Sequence, residues 1–94
     1  MLKQIQNSLR LVAEADRVPI LSNFFKTGKG QYGEGDKFLG ITVPNTRSVA
    51  KQYKDAPFTV IEKLLYSKIH EERLCALLIL VHQFQEEQQK AIVD

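Results

Sequence analysis

The chain has 94 residues, a net charge of +2 and 44% hydrophobic residues, which is typical of one small globular domain or of part of a larger one. This composition excludes an intrinsically disordered chain, and the longest apolar run, Leu74 to Val81, is far too short to span a membrane. The single cysteine, Cys75, cannot form an internal disulfide, so we expect a reducing, cytoplasmic location.

The charges are unevenly distributed along the chain. Between Lys26 and Lys54, six basic residues are opposed by two acidic ones, whereas between Glu62 and Asp94 six acidic residues outnumber four basic ones. A basic middle followed by an acidic end predicts a face that meets an anionic partner.

The first predicted helix carries an apolar stripe at helical spacing, and we expect it to end near Ala15 or Asp16. The stripe consists of Leu2, Ile5, Leu9 and Val12. Pro19 suits the first turn of a second, short helix, with Ile20, Leu21, Phe24 and Phe25 on its buried side.

A loop follows, because all five glycines lie between Gly28 and Gly40. The loop lacks the Gly-Lys-Ser/Thr ending and the preceding strand of a phosphate-binding P-loop. Two interpretations remain, namely a surface loop built of turns, or a flexible basic lip beside a polyanion on which Tyr32 stacks. Its apolar end, Phe38 to Ile41, is predicted to anchor the loop in the core.

The next helix is predicted to begin at Pro44, with Thr42 or Val43 as its N-cap and with Val49, Ala50 and Tyr53 facing inward. Its amino end is the strongest candidate for an anion site, since unpaired backbone N–H groups from residues 44 to 47 could meet a phosphate. Thr42, Asn45 and the Arg47 guanidinium would add polar donors, although Arg47 could also be a plain solvated charge.

Two further helices are predicted beyond the break at Pro57. Thr59 and Glu62 have the spacing of a capping box, which would begin a helix buried through Ile61, Leu64 and Leu65. The last helix has Glu71 and Glu72 in its first turn, where the helix dipole favours acids. It is apolar nearly all round from Leu74 to Val81, so we expect it to be buried on several sides. Residues 86 to 89 are predicted to form a turn or the start of another helix.

The predicted fold class is therefore all-α, as an antiparallel α-α stack or superhelix, and we expect residues 1–94 to be the N-terminal part of an incomplete helical-repeat domain. No catalytic residue, metal site or cofactor is predicted. Glu34 and Asp36 have no fixed separation, and His70 and His82 are too far apart on one helix to share a metal. Cys75 is predicted to be a core thiol, and we interpret Arg73 as a local ion-pair or capping group.

Two segments, "FFKTGKGQYGEGDKFLGITVPNTRSVAKQY" and "LLYSKIHEERLCALLILVHQF", resemble the AlkD-like DNA glycosylases of the DNA alkylation repair family. The resemblance runs from about Phe24 to Phe84 and includes FLGI-x-x-P-x-x-R and Ser-x-x-His-Glu-x-Arg. It implies a superhelix of HEAT-like antiparallel helical pairs whose basic concave face holds duplex DNA. It also implies removal of N3- and N7-alkylated purines by hydrolysis of the N-glycosidic bond.

The resemblance implies DNA binding by the turn that begins the Pro44 helix, where Val43 could contribute only its backbone. The residues predicted to bind DNA are Thr42, Val43, Arg47, Lys29, Lys37 and Lys51. The family's catalytic aspartate lies in a downstream Trp-Asp motif, and this sequence has no tryptophan. We therefore expect an incomplete, N-terminal part of a glycosylase that binds the DNA backbone and is inactive alone. The alternative is a helical-repeat module that binds another protein or associates with itself through exposed apolar C-terminal helices.

Overall fold

The computed structural model describes residues 1–19 and 37–93. These residues form four α-helices, namely α1 (Leu2–Leu11), α2 (Val43–Gln52), α3 (Phe58–Leu65) and α4 (His70–Val93), with a 3₁₀ turn at Ala15–Arg17. Lys37 and Ile69 form an isolated parallel β-bridge, and these described residues contain no β-strand. The prediction of an all-α fold is confirmed, whereas the HEAT-like superhelical arrangement stays a prediction. No helix among the described residues is long and apolar enough to cross a membrane.

The stripe predicted for α1 is confirmed, since Ile5 and Leu9 are fully buried and Leu2 and Val12 pack against the same core. The helix ends at Leu11, earlier than predicted. The backbone N–H of Glu14 donates to the carbonyl of Gly40 instead of to a carbonyl in α1, and a helix cannot continue through an amide used in this way. The short helix predicted after Pro19 lies outside the described residues.

Helix α2 begins one residue earlier than predicted, at Val43, and Pro44 occupies its first turn. Thr42 is the N-cap, because its backbone is extended and its hydroxyl oxygen accepts the N–H of Asn45 over 3.3 Å. The predicted inward side is confirmed, with Val49 and Ala50 buried and Tyr53 packed against the core.

The capping box predicted at Thr59 and Glu62 is wrong. Helix α3 begins at Phe58, so Thr59 is already a helical residue, and the N-cap is Pro57 without any side-chain cap bond. The carbonyl of Pro57 accepts the N–H groups of Val60 and Ile61, which starts the helix upstream of the predicted box. The buried side at Ile61 and Leu64 is as predicted.

Helix α4 is a single helix of 24 residues that passes through the predicted turn at residues 86–89. The turn prediction fails because glutamate and glutamine are strong helix formers and no glycine or proline interrupts this stretch. The prediction that α4 is buried on several sides is also only partly correct. Cys75, Ala76 and Ile79 are fully buried, but Leu77, Val81 and Phe84 are 52%, 48% and 61% exposed.

The core lies where α1, α2 and α3 pack against α4. Because α2 and α3 contact α4 far more extensively than α1 does, the apolar residues of α4 are buried towards that pair. Polar contacts reinforce the same junction. The side-chain amide of Gln83 donates to the carbonyls of Lys54 and Ala56 at 2.8 and 2.9 Å, and the Lys54 ammonium pairs with Glu86 at 2.6 Å.

Candidate nucleic-acid interface

The chain enters α2 through residues 37–41, an extended stretch that we call the anchored segment. Its first residue pairs with the turn before α4, since the N–H of Lys37 donates to the carbonyl of Lys68 over 3.0 Å. The N–H of His70 donates in turn to the carbonyl of Lys37 over 2.8 Å. The next residue, Phe38, is buried with its ring tilted against the imidazole of His70, at a centroid distance of 4.9 Å. The predicted anchoring of this apolar stretch in the core is confirmed.

A buried carboxylate binds the rest of the anchored segment. The Glu71 side chain is 1% exposed and accepts the backbone N–H groups of Leu39, Gly40 and Ile41 at 3.0, 3.0 and 3.2 Å. Hydrogen bonds to an ionised acceptor are about twice as strong as neutral ones, so these contacts hold the segment against the first turn of α4.

From the sequence, Glu71 is explained only through the helix dipole, and its bonds to the anchored segment are not predicted. A signal for these bonds was nevertheless present. Glu71 lies four and eight residues before Cys75 and Ile79, so it shares the buried stripe of α4. A carboxylate on a buried stripe needs donors, and a neighbouring extended segment without a sheet partner supplies them.

Gly40 adopts a conformation that only glycine adopts without strain. Its φ is +83°, and a Cβ placed there would clash with the carbonyl oxygen of Glu14. The same close approach lets the Glu14 N–H donate to the Gly40 carbonyl over 2.7 Å. The anchored segment is therefore bound on one side by α4 and on the other by the residues that follow α1.

The first turn of α2 has fewer free backbone N–H donors than the sequence predicts. Pro44 has no N–H, the N–H of Asn45 is accepted by the Thr42 hydroxyl, and that of Thr46 is accepted by the Thr42 carbonyl at 2.9 Å. The expectation of unpaired amides is thus wrong at Pro44, Asn45 and Thr46, because proline has no N–H and the N-cap accepts the N–H groups of the other two residues. Val43 keeps a first-turn N–H that has no acceptor among the described residues.

The Thr42 hydroxyl retains a proton to donate even while its oxygen accepts from Asn45. The Thr42 backbone is fixed, because the hydroxyl of the fully buried Thr46 donates a hydrogen bond to the Thr42 carbonyl at 3.0 Å. The cap is therefore a fixed group at the amino end of α2, beside the Val43 N–H.

Three of the predicted DNA-binding residues form one exposed stripe on α2. Val43, Arg47 and Lys51 are each four residues apart, a spacing that places side chains on the same side of a helix, and all three are exposed. Neither Arg47 nor Lys51 has an acidic partner in the part of the chain that the structure describes. We call these three residues, together with the Thr42 cap, the α2 stripe.

The remaining predicted basic residues lie elsewhere. Lys37 is exposed at the start of the anchored segment, and Lys29 is outside the described residues, as are Tyr32, Glu34 and Asp36. Lys54, the next lysine after the stripe, is engaged by Glu86, and this hydrogen bond and charge pairing raise the pKa of Lys54. The net positive charge of the stripe is therefore supplied by Arg47 and Lys51.

The other candidate groups have structural roles. Cys75 is fully buried, and burial, followed by the nearby charge of Glu72, raises the pKa of its thiol to about 12, so the predicted core thiol is confirmed. Arg73 donates to the carbonyl of Ser67 over 2.7 Å, which confirms its local capping role at the turn before α4. No group of three potential metal ligands occurs within residues 1–19 and 37–93.

Comparison with known proteins identifies one family. A family model described as DNA alkylation repair enzyme matches residues 5–94. No curated protein and no solved structure matched the chain. The family match extends over the anchored segment, the α2 stripe and α4, and so includes every element of the candidate interface. On this match, the chain belongs to the DNA alkylation repair enzyme family.

Proposed function

We propose that this chain binds the phosphate backbone of duplex DNA as the N-terminal part of a DNA alkylation repair glycosylase. The observation that carries the proposal is the α2 stripe, where the exposed Arg47 and Lys51 side chains share one side of a helix whose amino end carries the Thr42 hydroxyl and the Val43 N–H. Membership of a DNA alkylation repair family gives this basic, donor-rich surface a natural anionic partner.

Each group of the stripe suits a phosphate in a different way. The Val43 N–H lies at the positive end of the helix dipole, where anions are favoured. Arg47 presents a planar fork that fits two phosphate oxygens, and Lys51 adds a point charge one turn further along. Lys29 and Lys37 belong to the same proposed surface as further phosphate contacts. In this proposal the groups contact phosphates and not base edges, so the binding is independent of DNA sequence.

The proposed substrate of the whole enzyme is an N3- or N7-alkylated purine in duplex DNA. Such a base is already cationic, so the glycosidic bond breaks through a sugar cation that a carboxylate and aromatic faces can stabilise. The two buried acids of α4 are unsuited to this task, because Glu71 is bound by backbone N–H groups and Glu72 is buried and accepts from Gln6. The proposal therefore assigns DNA binding, and not bond cleavage, to the described residues.

The decisive experiment is binding of the 94-residue chain to a fluorescently labelled DNA duplex over a series of salt concentrations. Backbone binding predicts that log Kd varies linearly with log salt, with a slope of about 0.9 for each phosphate neutralised. An alkylated duplex and its unmodified counterpart should bind with similar affinity, and no free base should be released. Affinity that is insensitive to salt would reject the proposal.

A second candidate function is self-association through α4. Leu77, Val81 and Phe84 have helical spacing and are each about half exposed, which leaves an apolar stripe on the side of α4 that the core does not use. Sedimentation velocity over a wide concentration range tests it, with Phe84→Lys as the disrupting variant. A chain that stays monomeric at every concentration would eliminate this candidate.

A further inference from the structure

Two adjacent buried glutamates at the start of α4 have different partners. Glu71 accepts three backbone N–H groups of the anchored segment, whereas Glu72, which is 3% exposed, accepts the side-chain amide of Gln6 in α1 at 3.2 Å. Both are carboxylates in the same helical turn, with the same degree of burial. They differ in the part of the molecule that each one holds.

The Glu71 contacts end immediately before the α2 stripe. Its last acceptor contact is to the N–H of Ile41, and Thr42, the next residue, is the N-cap of α2. The anchored segment has only the single bridge residue Lys37 paired in β fashion, so its next amides depend on the Glu71 carboxylate for their acceptors. The Glu71 carboxylate is consequently the group of α4 that binds the three residues immediately before the helix start.

We infer that Glu71 is a positioning residue for DNA binding, because it fixes the segment from which the Thr42 cap and the Val43 N–H project. This inference rests on the proposed function of the α2 stripe. Glu71 is buried and would contact no phosphate, so its effect on DNA would pass through the anchored segment. A preformed donor arrangement binds an anion more tightly than one that must be ordered on binding.

The experiment compares Glu71→Gln with the matched control Glu72→Gln. Glutamine keeps the size of glutamate, but it has one carbonyl oxygen, and its NH₂ group cannot accept an N–H. Hydrogen exchange of the Leu39, Gly40 and Ile41 amides reports on the anchored segment, circular dichroism reports on folding, and Kd is measured for the labelled duplex. Each reading is taken under conditions in which both variants are folded.

We expect Glu71→Gln to accelerate exchange of the three amides and to raise the Kd for duplex DNA about tenfold, because the loosened segment must then be ordered when DNA binds. Glu72→Gln should leave these amides protected and the Kd close to that of the wild type. Glu71→Asp keeps the charge but falls one methylene short, so it should restore part of the affinity lost in Glu71→Gln.

Several outcomes would overturn the inference. A folded Glu71→Gln variant with accelerated exchange and wild-type affinity would show that the segment need not be fixed for binding, and an equal loss in Glu72→Gln would reveal general destabilisation. If Glu71→Gln does not fold, Glu71→Asp decides, since wild-type affinity with accelerated exchange contradicts positioning. Failure of the wild-type chain to bind duplex DNA would instead refute the proposed function itself, and the positioning role with it.

Discussion

The backbone N–H of Glu14 donates to the carbonyl oxygen of Gly40 over 2.7 Å and so joins the end of the first helical region to the segment that feeds α2. This contact ends the run of helical amides after α1 and fixes Gly40 from the side opposite Glu71. The candidate DNA-binding helix therefore starts from a backbone that is bound on both sides.

Gly40→Ala should be strongly destabilising. Its φ of +83° is unfavourable for any residue with a Cβ, and the added atom would clash with the Glu14 carbonyl. We expect a loss of about 2–4 kcal/mol in the free energy of unfolding, measured by urea denaturation. Lys37→Ala, at an exposed position of the same segment, is the control and should change stability by less than about 0.5 kcal/mol. Equal stability of the two variants would contradict the close approach at Gly40.

Arg47→Ala should weaken DNA binding to a similar extent on all duplex sequences and lower the salt slope by about 1, as expected for the loss of one phosphate contact. Lys51→Ala should act in the same direction. Arg10→Ala is the matched control, because Arg10 is an exposed arginine that belongs to α1 and not to the α2 stripe. Binding that is unaffected by Arg47→Ala, or weakened equally by Arg10→Ala, would remove Arg47 from the interface.

Val43→Pro isolates the contribution of a single backbone N–H. Proline is favoured at the first position of a helix, and Thr42 already has the extended backbone that a residue before proline requires, with φ −67° and ψ 153°. The helix should therefore remain folded while the donor is lost, and the Kd for duplex DNA should rise a few-fold. Val43→Ala, which keeps the N–H, should bind like the wild type. If the two variants bind alike, the Val43 amide does not contact DNA.

The thiol of Cys75 should be inert in the folded protein and should make stability fall at alkaline pH. Burial raises the pKa of the thiol to about 12, whereas an unfolded cysteine has a pKa of about 8.5. Above the unfolded pKa, the unfolded chain releases a proton that the folded chain retains. The free energy of unfolding should then decrease by about 1.4 kcal/mol per pH unit until the folded pKa is reached.

Chemical denaturation between neutral pH and the alkaline limit of folding measures this dependence, with Cys75→Ala as the reference that lacks the thiol. The difference between the two curves isolates Cys75 from the lysines that titrate in the same range. Labelling by iodoacetamide should require denaturant. Rapid labelling of the native chain, or parallel curves for the two proteins, would show that the thiol is not buried in solution.

Gln83→Ala should destabilise the junction of α2, α3 and α4. Its amide donates to the carbonyls of both Lys54 and Ala56, which belong to the connection between α2 and α3. Losing two such bonds should cost about 2 kcal/mol in the free energy of unfolding, measured by urea denaturation. Gln85→Ala changes the same residue type at an exposed position of α4 and should have little effect. Equal stability would show that the bridge is not formed in solution.

The sequence predicted the helices best where apolar residues recur at helical spacing. The stripe around Ile5 and Leu9 and the inward side of α2 at Val49 were correct, since a helix must turn such a face to the core. Arg47 and Lys51 were also predicted from the sequence to bind DNA, Arg47 because it lies in the first turn of the helix that begins near Pro44. The structure places them on one exposed side of α2, and their contact with DNA stays a prediction.

The predictions were weaker where local signals competed. Thr59 and Glu62 have the spacing of a capping box, yet the helix begins at Phe58, because the Pro57 carbonyl is already in place to accept the first amides. Four consecutive glutamates and glutamines at residues 86–89 were predicted to form a turn or the start of another helix, yet they continue α4. In both cases the local pattern was compatible with two structures, and the neighbouring residues selected between them.

By itself, the sequence determined the helical class, most of the buried stripes and the family, because each depends on residue types at short, regular spacings. The tertiary structure alone decided the contacts between distant residues. The bonds from Leu39, Gly40 and Ile41 to Glu71 join positions about 30 residues apart. The Glu14–Gly40 contact likewise joins two residues that are far apart in the sequence. Spacing along a chain cannot specify such contacts, since they exist only after packing brings a buried carboxylate and unpaired amides together.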